Sequence, residues 1–83
     1  MELYKFSATW CGPCKLVAPI VEQVAKETGI SVRNIDVDSD PLTTEMHKVQ
    51  SVPTIIKFDD EGREVARVVG AKPARLLKEA LDL

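Results

Sequence analysis

Cys11 and Cys14 are the only cysteines in the 83-residue chain, and two residues separate them. On a helix, positions i and i+3 stand one turn apart, with Cβ atoms roughly 5 to 6 Å from each other, and a disulfide tolerates that spacing. The loop it closes is too short to constrain an unfolded chain much, and stabilisation grows with loop length. A reversible dithiol explains the pair better than a structural staple. If a helix begins at the motif, Cys11 lies at its N-terminus, where unpaired N–H groups and the macrodipole favour a thiolate. Such positions lower a cysteine pKa from about 8.5 into a range of roughly 3.5 to 7.5. Cys14, one turn further in, is expected to be more covered and to attack a mixed disulfide formed on Cys11. Gly12 lets a substrate backbone come close, and Pro13 suits a first helical turn because its missing N–H would be unpaired there. The competing reading is half of a zinc site. Zinc takes four ligands, and besides the cysteines the chain offers only His47, so no metal is expected.

The run Trp10-Cys11-Gly12-Pro13-Cys14-Lys15 resembles the active-site sequence of the thioredoxin family. The likeness continues through Ala18-Pro19, Ser51-Val52-Pro53-Thr54 and Val69-Gly70-Ala71, in the family's order and at its spacing, and covers nearly the whole chain. Only nine residues precede Trp10, so the match reads as a minimal, N-terminally shortened member without the family's first strand and helix. The resemblance implies a protein-disulfide reductase with Cys11 as nucleophile and Cys14 as resolving thiol. Its redox-active disulfide serves in place of a cofactor, and a thioredoxin-reductase-like donor recycles it. It also implies a substrate groove walled by Trp10, Gly12, Pro13, Val52, Pro53 and Gly70, with Val52-Pro53 cis and the Val52 backbone pairing with an extended substrate. Two rival readings are a glutaredoxin-like, glutathione-dependent enzyme of similar size and a non-catalytic peptide-binding module. Gly-Pro between the cysteines, where glutaredoxins more often carry Pro-Tyr, argues against the first, and both cysteines being present argues against the second.

One position departs from the family. Thioredoxins carry a buried aspartate six residues before the first cysteine, thought to handle the proton of the second, and here that position is Lys5. The plain expectation is that its stem snorkels and the amine reaches water. Otherwise it stays charged, helped by Asn34 or Asp36 on the neighbouring strand, or burial favours a neutral amine that accepts a proton. A charged amine favours thiolates, and so the reduced form.

Composition sets the frame for this chemistry. A length of 83 residues allows one small domain, over residues 1–83, in which every element must contribute to the core. Hydrophobic residues make up 45% and charged residues 29%, as in an ordinary globule. A formal net charge of −2 offers no basic field for nucleic acid. No apolar run approaches the roughly 20 residues of a membrane span, and the first residues are too polar for a signal peptide, which together point to the cytoplasm.

Several elements must position the motif. Leu3 to Phe6 reads as a strand that delivers the chain to Cys11. From Cys14, Leu16, Val17, Ile20, Val21, Val24 and Ala25 recur at helical spacing, opposite Lys15, Glu22, Gln23, Lys26 and Glu27. Pro19 falls inside this helix and is expected to kink it, and Gly29 to stop it. Ser31 to Val37 reads as a strand whose polar Arg33, Asn34 and Asp36 suit an edge and discourage pairing, so a monomer is expected. Asp40 caps a short helix through Pro41, with Leu42, Met46 and Val49 as its apolar face and His47 turned to solvent without a role. Thr54 to Phe58 and Arg63 to Val69 form a hairpin around a solvated Asp59-Asp60-Glu61-Gly62 turn. Pro73 opens a last helix with Leu76, Leu77, Ala80 and Leu81 inward and Arg75 placed to pair with Glu79. The sum is an α/β chain of thioredoxin-like fold: a central four-stranded mixed sheet, built from a βαβ unit, a hairpin and a closing helix, with helices on both faces. The first strand lies between the Ser31 and Thr54 strands.

Overall fold

The computed structural model describes residues 1–83. Strand β1 (Glu2–Ser7) leads into helix α1 (Gly12–Thr28), followed by β2 (Ser31–Asp36), α2 (Pro41–Met46), β3 (Thr54–Phe58), β4 (Glu64–Val69) and α3 (Ala74–Ala80). The sheet runs β2-β1-β3-β4, with β1 parallel to β2 and antiparallel to β3, and β3 antiparallel to β4. The expected mixed sheet, with β1 central and β2 at an edge, is therefore present.

Alternation along β1 sends side chains to two different environments. Leu3 shares a face with Ile55 and Val68, and α1 and α3 close over them with Val17, Val21, Val24, Leu77 and Leu81 to make the main core. Phe6 points the other way, into a smaller cluster with Ile35, Ile56 and Phe58 beneath the end of α2. The helix signals behave as the sequence implies. Gly29 adopts φ 75° and returns its N–H to the Ala25 carbonyl, the left-handed stop that glycine accepts without a Cβ clash. Asp40 accepts the Thr43 N–H at 3.1 Å to start α2, and α1 continues through Pro19.

Several apolar residues assigned inward are in fact outside. Leu16 is 70% exposed on α1, Leu42 and Met46 are 70% and 69% exposed on α2, and Leu76 and Ala80 are exposed on α3. The reason is geometric. Helix α2 has only six residues, none of them buried, and meets the sheet through the residues that follow it rather than along a stripe. There Val49 packs on the smaller cluster, and Arg67 of β4 donates to the His47 carbonyl at 2.7 Å. His47 is likewise not a free surface residue. Its ring lies 5.6 Å from Tyr4, 6.0 Å from Phe6 and 5.3 Å from Phe58, edge-on to each. The expected Arg75–Glu79 pair is present at 3.5 Å.

Candidate functional site

The end of β1 and the start of α1 place both cysteines. Cys11 is the N-cap of α1, with extended backbone at φ −89° and ψ 107°, and its Sγ accepts the Cys14 N–H at 3.1 Å. A sulfur thus occupies the place that a capping oxygen usually fills, so negative charge on Cys11 meets an unpaired helix N–H and the positive end of the macrodipole. Pro13 sits in the first turn, where it removes a donor that had no partner. The two cysteines are joined as a disulfide, with Cα atoms 5.3 Å apart.

Exposure does not separate the two sulfurs as expected. Cys11 and Cys14 are each 4% exposed, clustered with Ala8 and backed by Val37 and Val52. The distinction between the cysteines is therefore electrostatic: only Cys11 Sγ receives the helix N–H.

The loop before β3 supplies the next wall. Val52-Pro53 is a cis peptide bond, as the family resemblance implied, and Pro53 is fully buried. The Gly70 N–H donates to the Pro53 carbonyl at 2.8 Å, which ties the end of β4 to this loop. Gly70 has φ 92°, and a Cβ there would meet nothing within 4 Å, so the surface beside Pro53 stays open. Gly12 is exposed with equally free space above it. Trp10 is 69% exposed and borders a depression of about 160 Å³ with Val37, Val49 and Val52.

All the residues singled out from the sequence fall around this one end of the sheet except Lys5, which lies behind it. Lys5 is buried and lines a cavity with Cys14. Sequence reasoning missed Asp38, whose carboxylate accepts the Trp10 indole N–H at 2.8 Å and fixes the ring beside the disulfide. Twenty-eight residues separate the partners, so no local spacing links them. It also missed Val69, whose 53% exposure beside Gly70 adds apolar surface to the same end. No group of three or more His, Cys, Asp or Glu side chains is arranged to hold a metal ion.

Comparison with known proteins bears on the same residues. The Thioredoxin family model matches residues 1–82. The chain belongs to the thioredoxin family. It is 50% identical to thioredoxin of Mycobacterium tuberculosis, over 98% of this chain and 72% of that protein. It is 44% identical to thioredoxin of Staphylococcus aureus, over 99% and 80%. A mutant thioredoxin from Halobacterium salinarum superposes with a TM-score of 0.89 at 38% identity, covering 98% of this chain and 71% of that one. Thioredoxin 1 of Thermosipho africanus superposes at 0.88 and 27% identity, covering 99% and 91%. With Cys11 and Cys14 at the active-site position, this family member is a thiol–disulfide oxidoreductase that reduces protein disulfides by dithiol exchange.

Proposed function

We propose that Cys11 is the attacking thiolate and Cys14 the resolving thiol. The observation that carries this order is the Cys14 N–H donated to Cys11 Sγ at the N-cap of α1. In the first step Cys11 sulfur bonds to one substrate sulfur, the substrate S–S bond breaks, and the other substrate sulfur leaves as a thiolate. Cys14 then loses its proton, bonds to Cys11 Sγ and expels the second substrate sulfur. Two electrons pass to the substrate, whose thiolates take up protons from solvent, and the Cys11–Cys14 disulfide remains.

The substrate lies extended across Trp10, Gly12, Pro13, Val52, Pro53 and Gly70 in this reading. Its support is the open space above Gly12 and Gly70 and the exposed indole held by Asp38. An unpaired backbone beside a cis proline suits main-chain pairing with a peptide, while apolar Val37, Val52 and Val69 suit side chains flanking its cystine. The physiological donor is a thioredoxin-reductase-like electron donor. The 83 residues act as one folded domain, as a monomer in the cytoplasm. Exposed Arg33 and Asn34 on edge strand β2 support the monomer by discouraging strand pairing.

The test couples insulin-disulfide reduction to a thioredoxin reductase and NADPH. Cys11→Ser should abolish turnover. Cys14→Ser should accumulate a mixed disulfide that mass spectrometry places on Cys11. An adduct on Cys14 in the Cys11→Ser protein would reverse the assignment. Reduction by glutathione but not by the reductase would move the donor to the glutathione system.

A further inference from the structure

Lys5 is a buried cation that the exchange steps do not use. It lies in the middle of β1, 8% exposed, on the face that α1 covers. It lines a cavity of about 220 Å³ together with Cys14, Lys15, Ala18 and Asp36. Lys5 belongs to none of the ion pairs. No water-excluded side-chain nitrogen or oxygen is left without a hydrogen-bond partner, so its unbonded Nζ must keep contact with solvent through the cavity mouth. The residue is largely covered, its amine keeps solvent contact, and it borders the same small open cavity as the second cysteine.

The groups facing this space come from three elements. Helix α1 contributes Cys14 and Lys15, and β2 contributes Asp36. The β3 residue opposite Lys5 is Ile55, which carries no charge. Asp36 forms no ion pair with Lys5; its carboxylate keeps its charge and accepts the N–H groups of Asp38 at 2.9 Å and Ser39 at 3.3 Å through Oδ1 in its own turn. Two ammonium groups against one carboxylate leave the lining with one positive charge in excess. The group there that becomes negative during the reaction is Cys14.

We propose that Lys5 is a positioning residue for the resolving step, its ammonium holding Cys14 as a thiolate while the thiol proton leaves through the cavity mouth. The proposal rests on the reading of Cys14 as the resolving thiol. Coulomb attraction in a partly desolvated cavity is several times stronger than in bulk water, and it acts only on the ionised sulfur. Stabilising a thiolate stabilises the dithiol state against the disulfide, so the charge makes the couple more oxidising.

The experiment equilibrates the oxidised protein with glutathione buffers between about pH 6 and 9 and reads the Cys11–Cys14 state by alkylation and mass spectrometry. Lys5→Met should lie about tenfold further toward disulfide than wild type near neutral pH, which is about 30 mV for a two-electron couple. The gap should widen as pH rises through the thiol range, and Lys5→Arg should restore most of it. Asp36→Asn keeps the turn acceptor and removes the carboxylate, so it should shift the equilibrium toward the dithiol; this variant tests the idea even if Lys5→Met does not fold. The proposal is overturned if Lys5→Met stays within about twofold of wild type at every pH, if Lys5→Arg behaves like Lys5→Met, or if Asp36→Asn leaves the equilibrium unchanged. The Cys14→Ser mixed-disulfide trap, run in parallel, separates the failures. An adduct on Cys11 in that variant while the Lys5 and Asp36 variants match wild type sinks only the Lys5 role, whereas an adduct on Cys14 in the Cys11→Ser protein sinks the reading on which that role rests.

Discussion

The two faces of the sheet differ sharply in how they are closed. On the α1/α3 face, Leu3, Val17, Val21, Val24, Ile55, Leu77 and Leu81 are all fully buried, and even Lys57 is drawn in, donating from Nζ to the carbonyls of Leu81 at 2.9 Å and Asp82 at 3.2 Å. Those two bonds satisfy carbonyls just beyond α3, so the lysine charge fastens the last helix instead of standing as an unpaired group. On the α2 face a helix with no buried residue covers four core side chains, and a depression of about 420 Å³ bordered by Tyr4, His47 and Phe58 stays open. The closed face carries α1 and so holds the cysteine pair in register, while the lightly covered face ends in the Val49–Val52 loop, the wall proposed for the substrate. Burial is thus concentrated on one side of the sheet, and the other side is only lightly covered.

Four substitutions would break or sharpen this contrast, all read from urea unfolding midpoints. Leu77→Ala, on the closed face, should cost about 2 to 5 kcal/mol, since a fully buried leucine leaves a cavity that its neighbours fill poorly. A loss below about 1 kcal/mol would mean the closed face is looser than its burial implies. Arg67→Met removes the guanidinium bonds to the His47 and Lys48 carbonyls, which tie the end of α2 to the sheet, together with the bonds to Glu64 in its own strand. It should cost about 1.5 to 3 kcal/mol, in the range of hydrogen bonds to charged groups, and should raise amide exchange in α2 while leaving α1 protected. Uniform exchange across both helices would erase the distinction between the faces.

The third test uses pH. The Arg67 guanidinium bonded to Glu64 holds that carboxyl below the usual range, against the opposing effect of burial. A depressed carboxyl contributes stability above its unfolded pKa of about 4.3 and loses it as pH falls through the folded value. Wild type should therefore weaken below about pH 4, and Glu64→Gln should weaken less over that range, by under about 1 kcal/mol because Glu64 is partly exposed. Identical acid profiles would remove the pair from the account. The smallest effect belongs to Met46→Ser, within about 0.5 kcal/mol, because 69% exposure leaves little burial to lose.

Much of this molecule could be read from the chain alone, because the relevant signals are local. The Cys11–Cys14 spacing, the Gly29 stop, the Asp40 cap, the Gly62 turn and the Thr54–Phe58 strand run each lie within a few residues of what they control, and each stands in the structure as expected. Periodicity also told which residues share a face. It could not tell how much of that face meets a partner, which is why Leu16, Leu42, Met46 and Leu76 are apolar yet exposed. Only the tertiary structure brought Asp38 to Trp10 and His47 to Tyr4 and Phe58. These pairings come from separate elements of the chain, set side by side by strand order and by the angle at which a helix crosses the sheet. No run of neighbouring residues encodes such distances, so packing decided where the charges and rings around the disulfide came to lie.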